Sequence, residues 1–232
     1  MSTLLKSNKN PLIVMKGIQK SYDGKRKVLD EMDFQLECGE IAVIEGKSGA
    51  GKSTLMNIIG LLEGFDSGTF YLKGKEIKPR AQAKYSRMRA SIIGFVFQSY
   101  YLIDSITVKE NIMLPLLYCD NPIDKELKAK YDTLVRELDI GHLENKRVSL
   151  LSGGEKQRVA IARALIKEPE IIIADEPTGN LDADNTETVV GVFRKLAQSG
   201  TAVIIVTHDA SISCAGDSRY YLSEGKLIRC NT

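Results

Sequence analysis

The residues Gly46-Lys47-Ser48-Gly49-Ala50-Gly51-Lys52-Ser53-Thr54 constrain this chain more than any other stretch. They fit G-x-x-x-x-G-K-[ST], a loop whose backbone N–H groups close around phosphate oxygens when a strand leads in and a helix leads out. Ile41-Ala42-Val43-Ile44 before it reads as a buried strand. Leu55 to Leu62 after it is apolar nearly all round, as a buried helix would be. The glycines permit left-handed turns and close approach, and the helix N-terminus supplies partial positive charge. Lys52 is placed to reach the outer phosphates, and the Ser53 hydroxyl to sit on Mg²⁺. A random chain of this length carries the pattern roughly once in a hundred, and the flanking strand and helix lower that further. The loop therefore reads as a nucleotide site, without saying how the phosphate energy is used.

With 232 residues the chain is long enough for one domain carrying an insertion. The formal charge of +2, from 32 basic and 30 acidic side chains, argues against a wholesale polyanion or nucleic-acid binder. No apolar run approaches the about 18 residues that span a bilayer, and Met1 to Asn10 lacks the apolar core of a signal peptide. The expectation is a cytoplasmic protein that reaches a membrane only through a partner. Cys38, Cys119, Cys214 and Cys230 show neither C-x-x-C spacing nor neighbouring histidines, so they read as free thiols and not as a metal site.

Leu12 to Lys20 and Lys27 to Leu36 read as strands joined at Ser21-Tyr22-Asp23-Gly24, where Asp-Gly signals a hairpin. Tyr22 reads locally as a half-exposed turn tyrosine. Thr69 to Leu72 is a further short strand. Residues 78 to 90 form a basic, helical-looking stretch, read first as a solvated face and second as a partner surface. Ile92 to Phe97 is an apolar strand that delivers Gln98 at its end, where ligands of open α/β sheets gather. Residues 99 to 165 read as a mostly helical insertion. It includes an amphipathic helix on Leu127, Tyr131, Leu134, Val135 and Leu138, with start signals at Asn121, Pro122 and Asp124. Ile171 to Glu176 is a buried strand ending in two carboxylates, the placement that presents acid to Mg²⁺ beside a phosphate loop. Asp184 and Glu187 start a helix buried on Val189, Val190, Phe193, Leu196 and Ala197, and Gly200 ends it. Ala202 to Thr207 is another buried strand, with His208 following; that histidine reads equally as structural or functional.

Leu151-Ser152-Gly153-Gly154-Glu155-Lys156-Gln157-Arg158, set after the phosphate loop and Gln98 and before Asp175-Glu176 and His208, resembles the signature segment of ABC-type ATPases. The resemblance runs from about Leu12 to Ile228. Leu55 to Leu62, Ile93 to Gln98, Glu110 to Leu116 and Ala174 to Asp182 are similar to the macrolide-exporter and lipoprotein-release subgroup. It implies an α/β P-loop NTPase core with an N-terminal antiparallel β subdomain and a helical insertion. The whole chain is then one ABC ATPase domain, with residues 12–98 and 166–232 as core plus β subdomain and 99–165 as helical subdomain. It also implies ATP and Mg²⁺ as ligands. Tyr22 would stack on adenine. Gly46 to Thr54 would hold the phosphates, while Ser53, Gln98 and Asp175 hold Mg²⁺. Glu176 would be the general base, with His208 on the γ-phosphate. Ser152, Gly153, Gly154 and Asp182 would act across the interface of an ATP-bound head-to-tail homodimer.

The implied activity is ATP hydrolysis, coupled through a separate transmembrane permease to export or extraction of a hydrophobic or peptide substrate. The subunit would lie on the inner face of the cell membrane, with no insertion of its own and no nucleic-acid partner. The alternative is an ATP-gated signalling or mechanotransmission ATPase, of cell-division or peptide-sensing type, that moves nothing. A DNA-maintenance ATPase is disfavoured because no sustained heptad run exists, and a kinase because it leaves the signature unexplained. Val148 stands where relatives often have proline, which predicts a less rigid start to the signature helix.

Overall fold

The computed structural model describes residues 11–79, 81–118, 125–179, 181 and 183–230. β1 (Ile13–Ser21) and β2 (Lys27–Leu36) pair antiparallel. Met32, Phe34 and Leu36 are buried between exposed Asp33 and Gln35, as alternation at period two requires. Their connection runs over residues 22–26 and is longer than the two-residue turn the Asp-Gly pair suggests. Asp23 Oδ1 accepts from the amides of both Lys25 and Arg26, so the aspartate organises a wider loop.

The chain then enters the central sheet as β3 (Ile41–Gly46) and continues into α1 (Lys52–Ile59). This helix starts inside the phosphate loop and ends three residues before Leu62. Gly60 caps its end at a point where any side chain would strike the Phe95 ring at 2.5 Å, and Leu62 is exposed. The chain returns to the first sheet as β4 (Ser67–Leu72) and β5 (Lys75–Ile77), giving the order β2-β1-β4-β5. Of the basic stretch, only a 3₁₀ turn (Gln82–Tyr85) and α2 (Ser86–Ile92) are helical. Ile92 closes that helix, and β6 is Ile93–Val96.

The insertion holds α3 (Val108–Met113), α4 (Lys125–Glu137) and α5 (Gly153–Leu165) with short 3₁₀ turns between them. The expected start signals of α4 lie outside the described residues. Then follow β7 (Ile171–Asp175), α6 (Ala183–Gln198), β8 (Ala202–Thr207), α7 (Ala210–Ser213), β9 (Ser218–Ser223) and β10 (Lys226–Cys230). The second sheet has the order β10-β9-β3-β8-β7-β6 and is parallel except for β10.

This sheet is buried on both faces, which is why its strands read as continuous apolar runs. Ala42, Ile44, Ile171, Ile173, Ala202 and Ile204 point into a core shared with α1 and the antiparallel sheet. Ile41, Val43, Ile172, Ala174, Val203 and Ile205 point into a second core with α3, α4, α5 and α6. Adjacent β3, β8, β7 and β6 therefore end side by side, and the polar residues at their C-terminal ends converge. Cys38, Cys214 and Cys230 are free thiols; Cys119 lies outside the described residues. No helix among the described residues is long and apolar enough to cross a membrane.

Candidate nucleotide site

The convergence forms a cleft of about 680 Å³ lined by Gly46 to Gly49, Gly51 to Thr54, Gln98, Asp175, Glu176 and His208. Its floor is the phosphate loop. Gly49 and Gly51 take φ values of 76° and 105°, and a side chain on Gly51 would meet the Val28 carbonyl at 2.9 Å. Gly46 is as tightly constrained, with a Cβ 2.5 Å from the Leu222 carbonyl. α1 begins at Gly51 with no side-chain cap and no acid in its first turn, so its first amides point unpaired into the cleft. Lys52 Nζ donates to the carbonyls of Gly46 at 2.5 Å and Lys47 at 3.1 Å, curling the ammonium over the loop. Ala50 packs on the first core and contributes backbone only.

The opposite wall carries the acids. Asp175 ends β7, and burial, then the Glu176 charge, push its carboxyl above the ordinary range while Lys52 pulls it back. Glu176 has φ 45°, a left-handed conformation that costs a non-glycine residue about 1–2 kcal/mol. Its amide donates to the Val206 carbonyl at 2.8 Å. Its carboxylate accepts from Thr207 Oγ1 at 2.9 Å and from the His208 amide at 3.3 Å, and His208 Nδ1 lies 2.6 Å away. The His208 ring is otherwise exposed. Thr207, wholly buried, was not singled out as a site residue; its place before His208 at a strand end is the signal that could have found it.

Gln98 sits exposed on a turn two residues past β6. Tyr100 and Tyr101 beyond it both have left-handed φ, 60° and 47°. Arg163 of α5 donates to both of their carbonyls, at 2.6 Å for Tyr100. Asn111, fully buried, holds Ile103 at its amide (2.8 Å) and carbonyl (3.0 Å). Neither anchor is visible in local sequence.

Tyr22 stands at the margin of the cleft, its Oη 3.1 Å from Thr54 Oγ1. The signature residues do not line this cleft. Ser152 caps α5 in a reciprocal box: its Oγ accepts from the Glu155 amide at 3.3 Å, and Glu155 Oε2 accepts from the Ser152 amide at 2.7 Å. Gly153 lies under the Tyr100 hydroxyl, and Gly154 faces Leu181 and Asn185. Asp182 lies outside the described residues. Val148 is buried and its amide donates to the Ile106 carbonyl at 3.2 Å, a tether that proline could not make.

The residues fit nucleotide with a hard cation. The loop side offers amides, an ammonium and the Ser53 hydroxyl, and the facing wall offers the Asp175 and Glu176 carboxylates and the Gln98 amide oxygen. Among the described residues no three His, Cys, Asp or Glu gather into a metal cage.

Comparison with known proteins agrees. The family model for ABC transporters matches residues 29–179. The lipoprotein-releasing system ATP-binding protein LolD of Aquifex aeolicus is 40% identical over 87% of this chain and 90% of its own length. The macrolide export ATP-binding/permease protein MacB 1/2 of Paracoccus denitrificans is 35% identical over 94% of this chain, which spans only 33% of that longer protein. The solved dimeric ATP-binding cassette MJ0796, in a post-hydrolysis state with ADP and Pi, superposes with a TM-score of 0.85 at 33% identity, covering 95% of this chain and 99% of that one. A phosphate loop, a signature helix and two strand-end acids in this order, on this sheet, place the chain in the ABC transporter family as an ATP-hydrolysing cassette.

Proposed function

We propose that the chain is the ATPase subunit of a membrane complex whose separate transmembrane permease moves a hydrophobic or peptide substrate, and that two copies close head to tail around ATP. One observation carries this reading. The signature turn opens α5 on two glycines, and its Ser152 and Gly153 are exposed and away from the chain's own phosphate loop. A second copy supplies what it faces. The lipoprotein-releasing and macrolide-export relatives support the transport role. The exposed Tyr101, Ile103 and Leu117 beyond Gln98 support a permease surface there, holding the subunit on the inner face of the membrane without inserting.

Ser53, Asp175 and Gln98 would hold Mg²⁺, which would supply positive charge to the phosphates. Lys52 releases the Gly46 and Lys47 carbonyls and takes the outer phosphates. Tyr22 stacks on the base. Glu176 accepts a proton from water as the water oxygen attacks the γ-phosphorus and the bond to ADP breaks. Thr207 and the His208 amide hold Glu176 in place, and the His208 ring reaches from Glu176 to the γ-phosphate. Ser152, Gly153, Gly154 and Asp182 of the other copy close over that phosphate. Its loss opens the dimer, and the opening moves whatever is docked.

The test is light scattering of the Glu176→Gln chain with ATP. A shift toward twice the monomer mass supports the closed pair, and a persistent monomer overturns it for the isolated subunit. Hydrolysis without substrate movement in vesicles holding the complete complex favours the signalling alternative.

A further inference from the structure

We propose that Glu63 is a positioning residue for nucleotide, holding the Tyr22 ring ready for the base through the tyrosine hydroxyl. The inference rests on the reading of Tyr22 as the base-stacking residue and adds the device that makes it effective.

Tyr22 is 64% exposed on the loop between β1 and β2, where a free aromatic side chain would sample several rotamers. It is not free. Its Oη donates to Glu63 Oε2 at 2.9 Å and lies 3.1 Å from Thr54 Oγ1 inside the phosphate cleft. Glu63 is fixed in turn by an ion pair from Oε1 to Lys20 Nζ at 3.0 Å, with both side chains largely buried (14% and 21% exposed). The same Lys20 ammonium stands 5.1 Å from the centre of the Tyr22 ring. One carboxylate thus ties the hydroxyl, one cation covers a ring face, and the other face remains for a planar base.

The backbone under the ring is held from the same place. Ser21 donates its amide to Asp66 Oδ2 at 2.8 Å, and Asp66 lies three residues past Glu63. Both acids occupy the turn that follows α1, the helix whose other end is the phosphate loop. The Tyr22 hydroxyl is therefore held between Thr54 in the first turn of α1 and Glu63 in the turn after that helix, beside the phosphate loop. Holding the ring before binding lowers the ordering cost of each nucleotide captured. Because base contacts are the same in ground and transition states, the effect belongs in affinity and not in turnover.

The experiment measures ATP affinity by calorimetry and steady-state kinetics for the full chain, Glu63→Ala, Glu63→Gln, Tyr22→Phe, Tyr22→Ala and the Glu63→Ala/Tyr22→Phe pair. Glu63→Ala is expected to weaken Kd and raise KM by roughly three- to tenfold, with kcat at saturation within about twofold. Tyr22→Phe is expected to weaken binding to a similar extent, and the double variant to be no worse than either single one. Glu63→Gln, which can still accept from the hydroxyl, is expected to recover most of the loss. If Tyr22→Ala weakens binding while Glu63→Ala does not, or if the two losses simply add, the positioning role fails and the stacking reading stands. If Tyr22→Ala binds ATP normally, both fall. A merely structural Glu63 would lower the melting temperature without the coupling to the Tyr22 hydroxyl.

Discussion

Replacing Glu176 with glutamine removes a proton acceptor while nearly preserving shape, so it separates chemistry from architecture. The side chain is 10% exposed and makes three contacts, with Thr207 Oγ1, the His208 amide and His208 Nδ1. Hydrogen bonds to a charged group contribute about 1.5–3 kcal/mol and neutral ones about 0.5–1.5, so each contact weakens by about 1 kcal/mol at most. The change also removes the negative charge that helps push the Asp175 carboxyl up, which offsets part of that loss. The three contacts together then weaken by about 3 kcal/mol at most, less the relief at Asp175, a shift of at most about 10 °C in Tm for a chain of this size. A general base contributes about 10²–10⁴-fold, or about 3–5.5 kcal/mol of barrier. Phosphate release under saturating Mg²⁺-ATP is expected to fall by that factor. ATP affinity by calorimetry is expected to stay within about threefold, because the phosphate loop is untouched. A fall of less than about tenfold would refute Glu176 as the base. Loss of binding in proportion to loss of turnover would show that the residue holds nucleotide instead.

Gly51→Ala is expected to abolish ATP binding and destabilise the fold by about 2–3 kcal/mol, since its φ of 105° disfavours any side chain and the Cβ would meet the Val28 carbonyl; calorimetry and urea melts read both. Asp175→Asn is expected to stabilise the nucleotide-free protein near neutral pH while weakening Mg²⁺-dependent hydrolysis. The sign follows from Asp175: its folded pKa lies above the unfolded value, so the folded state binds the extra proton and this site favours folding less as pH rises through that window. Melts from pH 4 to 8 are expected to show the variant's advantage growing with pH. Val148→Pro is expected to cost about 1 kcal/mol for the lost amide bond to Ile106, read as a lower urea midpoint.

The parts legible in sequence are those whose signal is local. β3, β7 and β8 announced themselves as apolar runs because the sheet is covered on both faces. Asp175, Glu176 and His208 were legible because acid and imidazole follow such runs directly. β5 and β10 were not read, being short or edge strands of mixed polarity, and nor was β9, an internal strand whose buried alternate positions include Ser218 and so show no apolar run. The supports of the site were also hidden, because their partners are remote in the chain. Thr207 reaches Glu176 across 31 positions, Tyr22 reaches Glu63 across 41, and Arg163 reaches Tyr100 across 63. The basic stretch misled for a related reason. Pro79 cannot donate a helical bond, so helix there is confined to residues 82–92.

Arg163 also has a mechanical meaning. α5 has 13 residues, about 20 Å of stiff rod, with Ser152 capping its start and the Arg163 fork near its finish. The fork grips the strap that leaves Gln98, and Lys156, in the first turn of the rod, meets Asp104 of the same strap at 3.4 Å. The strap that leaves Gln98 and the turn bearing Ser152 and Gly153 therefore share one stiff support, held at its two ends.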